Sequence, residues 1–218
     1  MSEQAINPDA VQQGDVDEDT PTGRWALSQK DISRIKRIGS WHGAAALAGL
    51  AIWGAADAWA TSSGLVLAHI VAIGNAIVVA TALSGMIHEW GHFTGAKLMG
   101  SIAPVSKMPT RFYFMFNFDM ERNSVNQFIG LSLGGIIANW LLVVAIIALI
   151  PIHSLAAAAL LAVAVAKAVN VSFFEVPVVL RVRESEDPSK ELKHQLEAYG
   201  LRQTPGLIAG AFAFLAFT

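Results

Sequence analysis

The chain has 218 residues, of which 54% are hydrophobic and only 15% charged, with a mean hydropathy of +0.48. A soluble domain carries nearer a quarter of its residues as charges, so this composition argues against one and for a membrane protein. The net charge of -2 comes with no concentrated basic face for nucleic acid, and the absence of Cys excludes a disulfide framework, a thiolate metal site and a Cys nucleophile.

In chain order, residues 1 to about 24 are polar and acidic with almost no apolar pattern, which predicts a disordered tail and not a cleaved secretory signal. Ser28 followed by Asp31 fits a helix start, and Lys30, Arg34, Lys36 and Arg37 suit a cytoplasmic segment beside a membrane. A first span is expected from about Trp41 to Ala60, with Trp41 and Trp59 as interfacial anchors, then an uncharged turn at residues 61–64. A second runs from about Leu65 to Ile87 and continues into His88-Glu89-Trp90-Gly91-His92, with Lys97 closing the helix. Residues 98–126 do not span. Their aromatic run from Arg111 to Asp119 predicts a small β-hairpin-like segment at the membrane interface. A third span from about Phe128 to Ile150, a turn at 151–153 and a fourth span from about Leu155 to Leu180 follow. A partly helical polar segment then leads to an apolar run, Gly206 to Phe217, of half-span length.

The fold class expected is therefore an all-α polytopic membrane protein with four transmembrane helices and a C-terminal half-span. Nearly all basic residues lie in 30–37, 97–122 and 181–202, whereas the turns at 61–64 and 151–153 hold none. The positive-inside rule then places the N-terminus and the His88–His92 motif on the cytoplasmic side, most simply of a bacterial inner membrane.

His-Glu-x-x-His on a helix sets two imidazoles four residues apart on one face. They can grip one Zn²⁺, while Glu89 handles a proton of an attacking water. The reading of an incidental exposed polar face is weak here, because polar side chains beside apolar spans are costly without partners. A catalytic zinc takes three protein ligands, so one is missing. His69 is 19 residues before His88, about 28 Å along the helix, and His153 lies in the far turn; neither can join. Glu175 lies six residues before Arg181 and so at the depth of His92, five before Lys97. It is the leading candidate, with Asp119 as an alternative and an ion pair to Lys167 or Arg181 as the bland reading. Pro177 predicts a local helix break that lets Glu175 and Asn170 face one cavity. His42, His194 and Asp57 read as interfacial. Lys167 reads as snorkelling, His69 and Asn75 as interhelical hydrogen-bonders, and Gly134-Gly135 as close helix packing.

These residues resemble the site-2 protease family of intramembrane zinc metalloproteases. That family reads His-Glu-x-x-His, often with Gly before the second His, then an Ala-basic pair and a Gly. Here His88-Glu89-Trp90-Gly91-His92 is followed by Ala96-Lys97 and Gly100. Gly134-Gly135-Ile136-Ile137-Ala138-Asn139 is similar to the family's Ala-Gly-Pro-x-Ala-Asn signature, with Ile136 in place of Pro. Asn170 and Pro177 look like parts of its later Asn…Pro…Asp-Gly motif, but no Asp-Gly follows and Glu175 is the acid in that span. The resemblance covers about residues 65–180 and includes no PDZ-like insertion.

The chain is expected to divide into a disordered and basic cytoplasmic segment (1–38), a first transmembrane helix (39–64), a three-helix core that the resemblance marks as metalloprotease-like (65–180), and a cytoplasmic segment with a short apolar end (181–218). The resemblance implies an endopeptidase acting on transmembrane segments of membrane-protein substrates in the lipid bilayer, with His88, His92 and Glu175 on zinc and Glu89 as general base and acid. Asn170 and Asn139 would orient substrate or stabilise the oxyanion. It also implies that the aromatic segment offers an edge strand to an unwinding substrate helix. The competing expectation is a non-catalytic zinc-binding membrane protein that holds clients or serves a transporter.

Overall fold

The computed structural model of the chain describes residues 23–107, 115–198 and 203–218. The tail expected at residues 1 to about 24 lies almost wholly outside them. Among the described residues the chain forms six α-helices: α1 (Gln29–Ser63), α2 (Val66–Leu98), α3 (Val125–Leu149), α4 (Leu155–Ser185), α5 (Pro188–Glu197) and α6 (Thr204–Ala216).

Local chemistry sets the starts. Ser28 and Asp31 form a reciprocal capping box at α1, and Ser124 and Gln127 form another at α3. Ser154 caps α4 through Ala157, and Asp187 caps α5 through Lys190. Gly64, in the left-handed region at φ 65°, ends α1 and reverses the chain directly into α2.

Helices α1 to α4 are each long and apolar enough to cross a membrane, which marks the chain as a multi-pass membrane protein. Outward-facing side chains such as Leu47, Val66, Ile70, Val78, Leu141 and Val144 are apolar, as a lipid-facing surface requires. The interior is built from small residues: Ala68, Ala72, Ala76 and Ala80 form one buried stripe of α2, and Ala156 to Ala159 pack from α4. Helix α2 is central and touches α1, α3 and α4. Its contact with α3 is backbone on backbone. A Cβ on Gly91 would strike the carbonyl of Gly134 and come within 2.5 Å of Ala138 Cβ, and a Cβ on Gly134 would strike Gly91 in return.

Several expectations need correction. α1 runs unbroken from Gln29 to Ser63, so no boundary falls at residue 38 and the turn expected at 61–64 shrinks to its last residues. The β-hairpin-like segment is not found. Part of it, 111–114, lies outside the described residues; among those described no strand forms, only an isolated antiparallel bridge between Val105 and Phe116. Backbone hydrogen bonds flank it, from the Ser106 N–H to the Met115 carbonyl and from the Asn117 N–H to the Pro104 carbonyl, and neighbouring groups are taken by side chains. The Val105 N–H donates to Asp31 Oδ1 (2.9 Å), the Val105 carbonyl accepts from Arg34, and the Ile102 N–H donates to Asn123 Oδ1.

Pro177 does not break α4 either. Proline removes the donor to the carbonyl four residues back, that of Phe173. The Gln195 side chain, from α5, donates to that carbonyl at 3.4 Å, and Arg181 holds Gln195 Oε1 at 2.8 Å. The apolar run near the end forms α6, which lies along α4 through Gly206 and Gly210.

Candidate metal centre

His88 and His92 stand one turn apart on α2 and meet Glu175 from α4. The histidine Nε2 atoms are 3.0 Å apart, and Glu175 Oε1 lies 3.3 Å from that of His88 and 3.1 Å from that of His92. Three such ligand atoms around a tetrahedral ion at metal–ligand distances near 2.0 Å would stand about 3.3 Å apart, close to this triangle. The group offers one atom from each residue, all within 4.8 Å of one another, and could hold a metal ion. It is the one such group of three among the described residues.

The chemistry of the donors supports the same reading. His92 Nδ1 is 2.8 Å from the Leu131 carbonyl, which only accepts, so Nδ1 carries a proton and Nε2 is the atom that faces Glu175 and His88. Glu175 Oε2 is buried with no partner. Two imidazole nitrogens and a carboxylate gathered inside an apolar bundle need a proton or a metal cation between them. Two nitrogens and a carboxylate suit zinc and its neighbours better than calcium or magnesium, which take oxygen shells.

Gly135 of α3 lies under both rings. A Cβ there would stand 2.5 Å from His92 Cε1 and 2.8 Å from His88 Cε1, so the absence of a side chain makes the room for the pair. Four residues on, Asn139 is 1% exposed. Its side-chain nitrogen is 3.0 Å from His88 Nδ1 and 3.1 Å from the Gly135 carbonyl. Glu89 is buried on the same helix, between the two histidines in sequence.

Of the residues expected at the site, His88, Glu89, His92 and Glu175 come together. Asn139 also arrives, with its side chain against His88 and the Gly135 carbonyl. Asn170 does not arrive. It precedes Glu175 by five residues, about 140° around an unbroken helix. Its Oδ1 accepts from the Gly206 N–H at 3.0 Å, capping the start of α6. Asp119 is likewise elsewhere, its Oδ1 accepting from the backbone of Glu121 and Arg122. Glu175 is not paired with the bases considered for it: Arg181 is 2.7 Å from Glu191, and Lys167 is exposed. Asn75 bonds back to Val71 of its own helix and not across helices. His42 Nδ1 accepts from the indole of Trp90, inside the motif itself, and so joins α1 to it.

Sequence reasoning missed the Leu131 carbonyl and the role of Gly135. The first carries no sequence signal, being backbone. The second had one, since Gly135 is one turn before Asn139 in the segment already singled out. Comparison of the chain with family models, with curated proteins and with solved structures finds no match.

Proposed function

We propose that this chain is an intramembrane zinc metalloendopeptidase that cleaves transmembrane segments of protein substrates, as the resemblance of its motifs to the site-2 proteases implies. The observation that carries the reading is the triangle of His88, His92 and Glu175 with Glu89 beside it, inside a bundle of apolar helices. Bound there, zinc would supply Lewis acidity toward a peptide carbonyl and toward water.

The remaining work falls to residues of the chain. Glu89 follows His88 directly and shares the buried pocket, so its carboxylate takes the proton of the attacking water and returns it to the leaving amine nitrogen. The Leu131 carbonyl holds the His92 ring in its tautomer, and Asn139 with Gly135 fixes the rotation of His88. The third ligand is a glutamate where the family motif has an aspartate.

The test is a transmembrane reporter incubated with purified wild type and Glu89→Gln. That substitution keeps size and hydrogen bonding but cannot accept the proton. Metal content is expected to stay at wild-type level while cleavage falls by at least about 100-fold. Undiminished cleavage refutes the mechanism.

A second reading, a metal-binding protein that holds clients without cutting them, is favoured by one observation. Asn139 and Asn170, the two residues expected to touch substrate, turn instead to His88 and to α6. Stoichiometric zinc with no cleavage of any reporter, combined with retention of an uncut reporter on the protein, decides for it.

A further inference from the structure

The end of the bundle opposite the histidines, where the α1–α2 and α3–α4 turns lie, holds a cleft of about 430 Å³. Trp53, Asp57 and Thr61 line it from α1, and Leu149, His153 and Ser154 line it from the α3–α4 turn. The three α1 residues are spaced by four and so form one stripe. Thr61 stands near the helix end, Asp57 about 6 Å deeper and Trp53 about 12 Å deeper. The cleft thus runs down from the membrane surface with polar groups at successive depths.

Two of those groups each keep a buried atom without a partner. Trp53 is 8% exposed, and its Nε1 is buried without a hydrogen bond; Asp57 Oδ1 is buried without one too. The rim hydroxyls are already used, Thr61 on its own helix and Ser154 on the Ala157 N–H. An indole N–H only donates, and an ionised carboxylate only accepts. Left open in an apolar bundle, each is costly, the carboxylate most of all. A molecule that satisfies both must present an acceptor at the depth of Trp53 and a cationic donor one turn nearer the surface. A lipid headgroup with a terminal amine has that order along the bilayer normal, with phosphate and ester oxygens below and ammonium above. Leu149, 79% exposed at the cleft, offers the adjacent lipid-facing wall for acyl chains.

We infer that this cleft binds a primary-ammonium zwitterion of the phosphoethanolamine type, with its ammonium on Asp57 and its phosphate or ester oxygen on the Trp53 indole N–H. A trimethylated ammonium carries the same charge but donates no hydrogen bond to Asp57, so the site discriminates against it. The site is independent of the metal and of the reading given for it.

The test uses the full chain, delipidated in detergent, titrated with phosphatidylethanolamine, phosphatidylcholine or chain-free phosphoethanolamine. Binding is read by native mass spectrometry and by the thermal unfolding midpoint. Phosphatidylethanolamine is expected to bind as a single retained molecule about tenfold more tightly than phosphatidylcholine, the effect of one charge-assisted hydrogen bond. Asp57→Asn, nearly isosteric, and Trp53→Phe, which removes the indole N–H together with part of the ring, are expected to erase most of that preference with unchanged far-UV circular dichroism. If chain-free phosphoethanolamine binds as tightly as the lipid, the occupant is a soluble amine; if only the lipid is retained, it is the lipid. Equal retention of the two lipids, or an unchanged preference in Asp57→Asn, overturns the proposal.

Discussion

Replacing Gly135 with alanine tests the site through a residue that ligates nothing. The added methyl would stand 2.5 Å from His92 Cε1 and 2.8 Å from both His92 Nδ1 and His88 Cε1, where ordinary contact begins at 3.4 Å. The rings must therefore retreat by roughly 1 Å, several times the tolerance of about 0.2 Å in a metal–ligand distance. Retreat also breaks the 2.8 Å bond from His92 Nδ1 to the Leu131 carbonyl, and loss of such support alone costs about 10–100-fold in metal affinity. The expected outcome is a fall of at least about 100-fold, ~2.8 kcal/mol, in zinc affinity by competition with a chelator. Two controls bracket it. Gly74→Ala, with nothing within 4 Å of the new methyl, should leave affinity unchanged and gain up to about 1 kcal/mol of helix propensity. Gly134→Ala, which drives a methyl into the backbone of α2, should lower the unfolding temperature as well as the affinity. Wild-type zinc affinity in Gly135→Ala would refute the claim that this glycine makes room for the pair.

Other consequences are equally direct. Asn139→Leu removes the amide group against His88 Nδ1 and should weaken metal binding about 10–100-fold, read by chelator competition. Asn170→Ala should cost about 1 kcal/mol of stability through loss of the α6 cap and leave zinc stoichiometry intact; a drop in stoichiometry would return Asn170 to the site. Asp31→Ala removes both the α1 capping box and the acceptor of the buried Val105 N–H, a loss of about 2–4 kcal/mol that denaturant titration in mild detergent should register.

What could be read from the residues alone was whatever depends on period and depth. The spacing of His88 and His92 dictates a shared face, and counting from the charged ends of two spans put Glu175 level with them. What could not be read was rotation of one helix about its own axis and the destination of backbone groups. A cavity shared by Asn170 and Glu175 requires that Pro177 break α4. The break is averted by Gln195, 22 residues past Phe173, and no local pattern announces such a contact. The aromatic segment has the composition of a hairpin, yet only one bridge forms among the described residues, and Asp31 and Arg34, more than 70 residues earlier, hold the outer edge of Val105. The small-residue stripe of α2 and the Gly134 contact, by contrast, follow from what apolar helices need in order to approach closely.

The contact between Gln195 and the Phe173 carbonyl reaches beyond the repair of one helix turn. Phe173 and Pro177 bracket Glu175 by two residues on each side, so the stretch of α4 that presents the carboxylate is splinted from outside the span by α5, which Arg181 and Glu191 hold in place. The register between carboxylate and imidazoles is therefore set by a short polar helix beyond the bilayer as well as by packing within it. The contact ties α5 to the one member of the His88–His92–Glu175 group that does not share a helix with the other two.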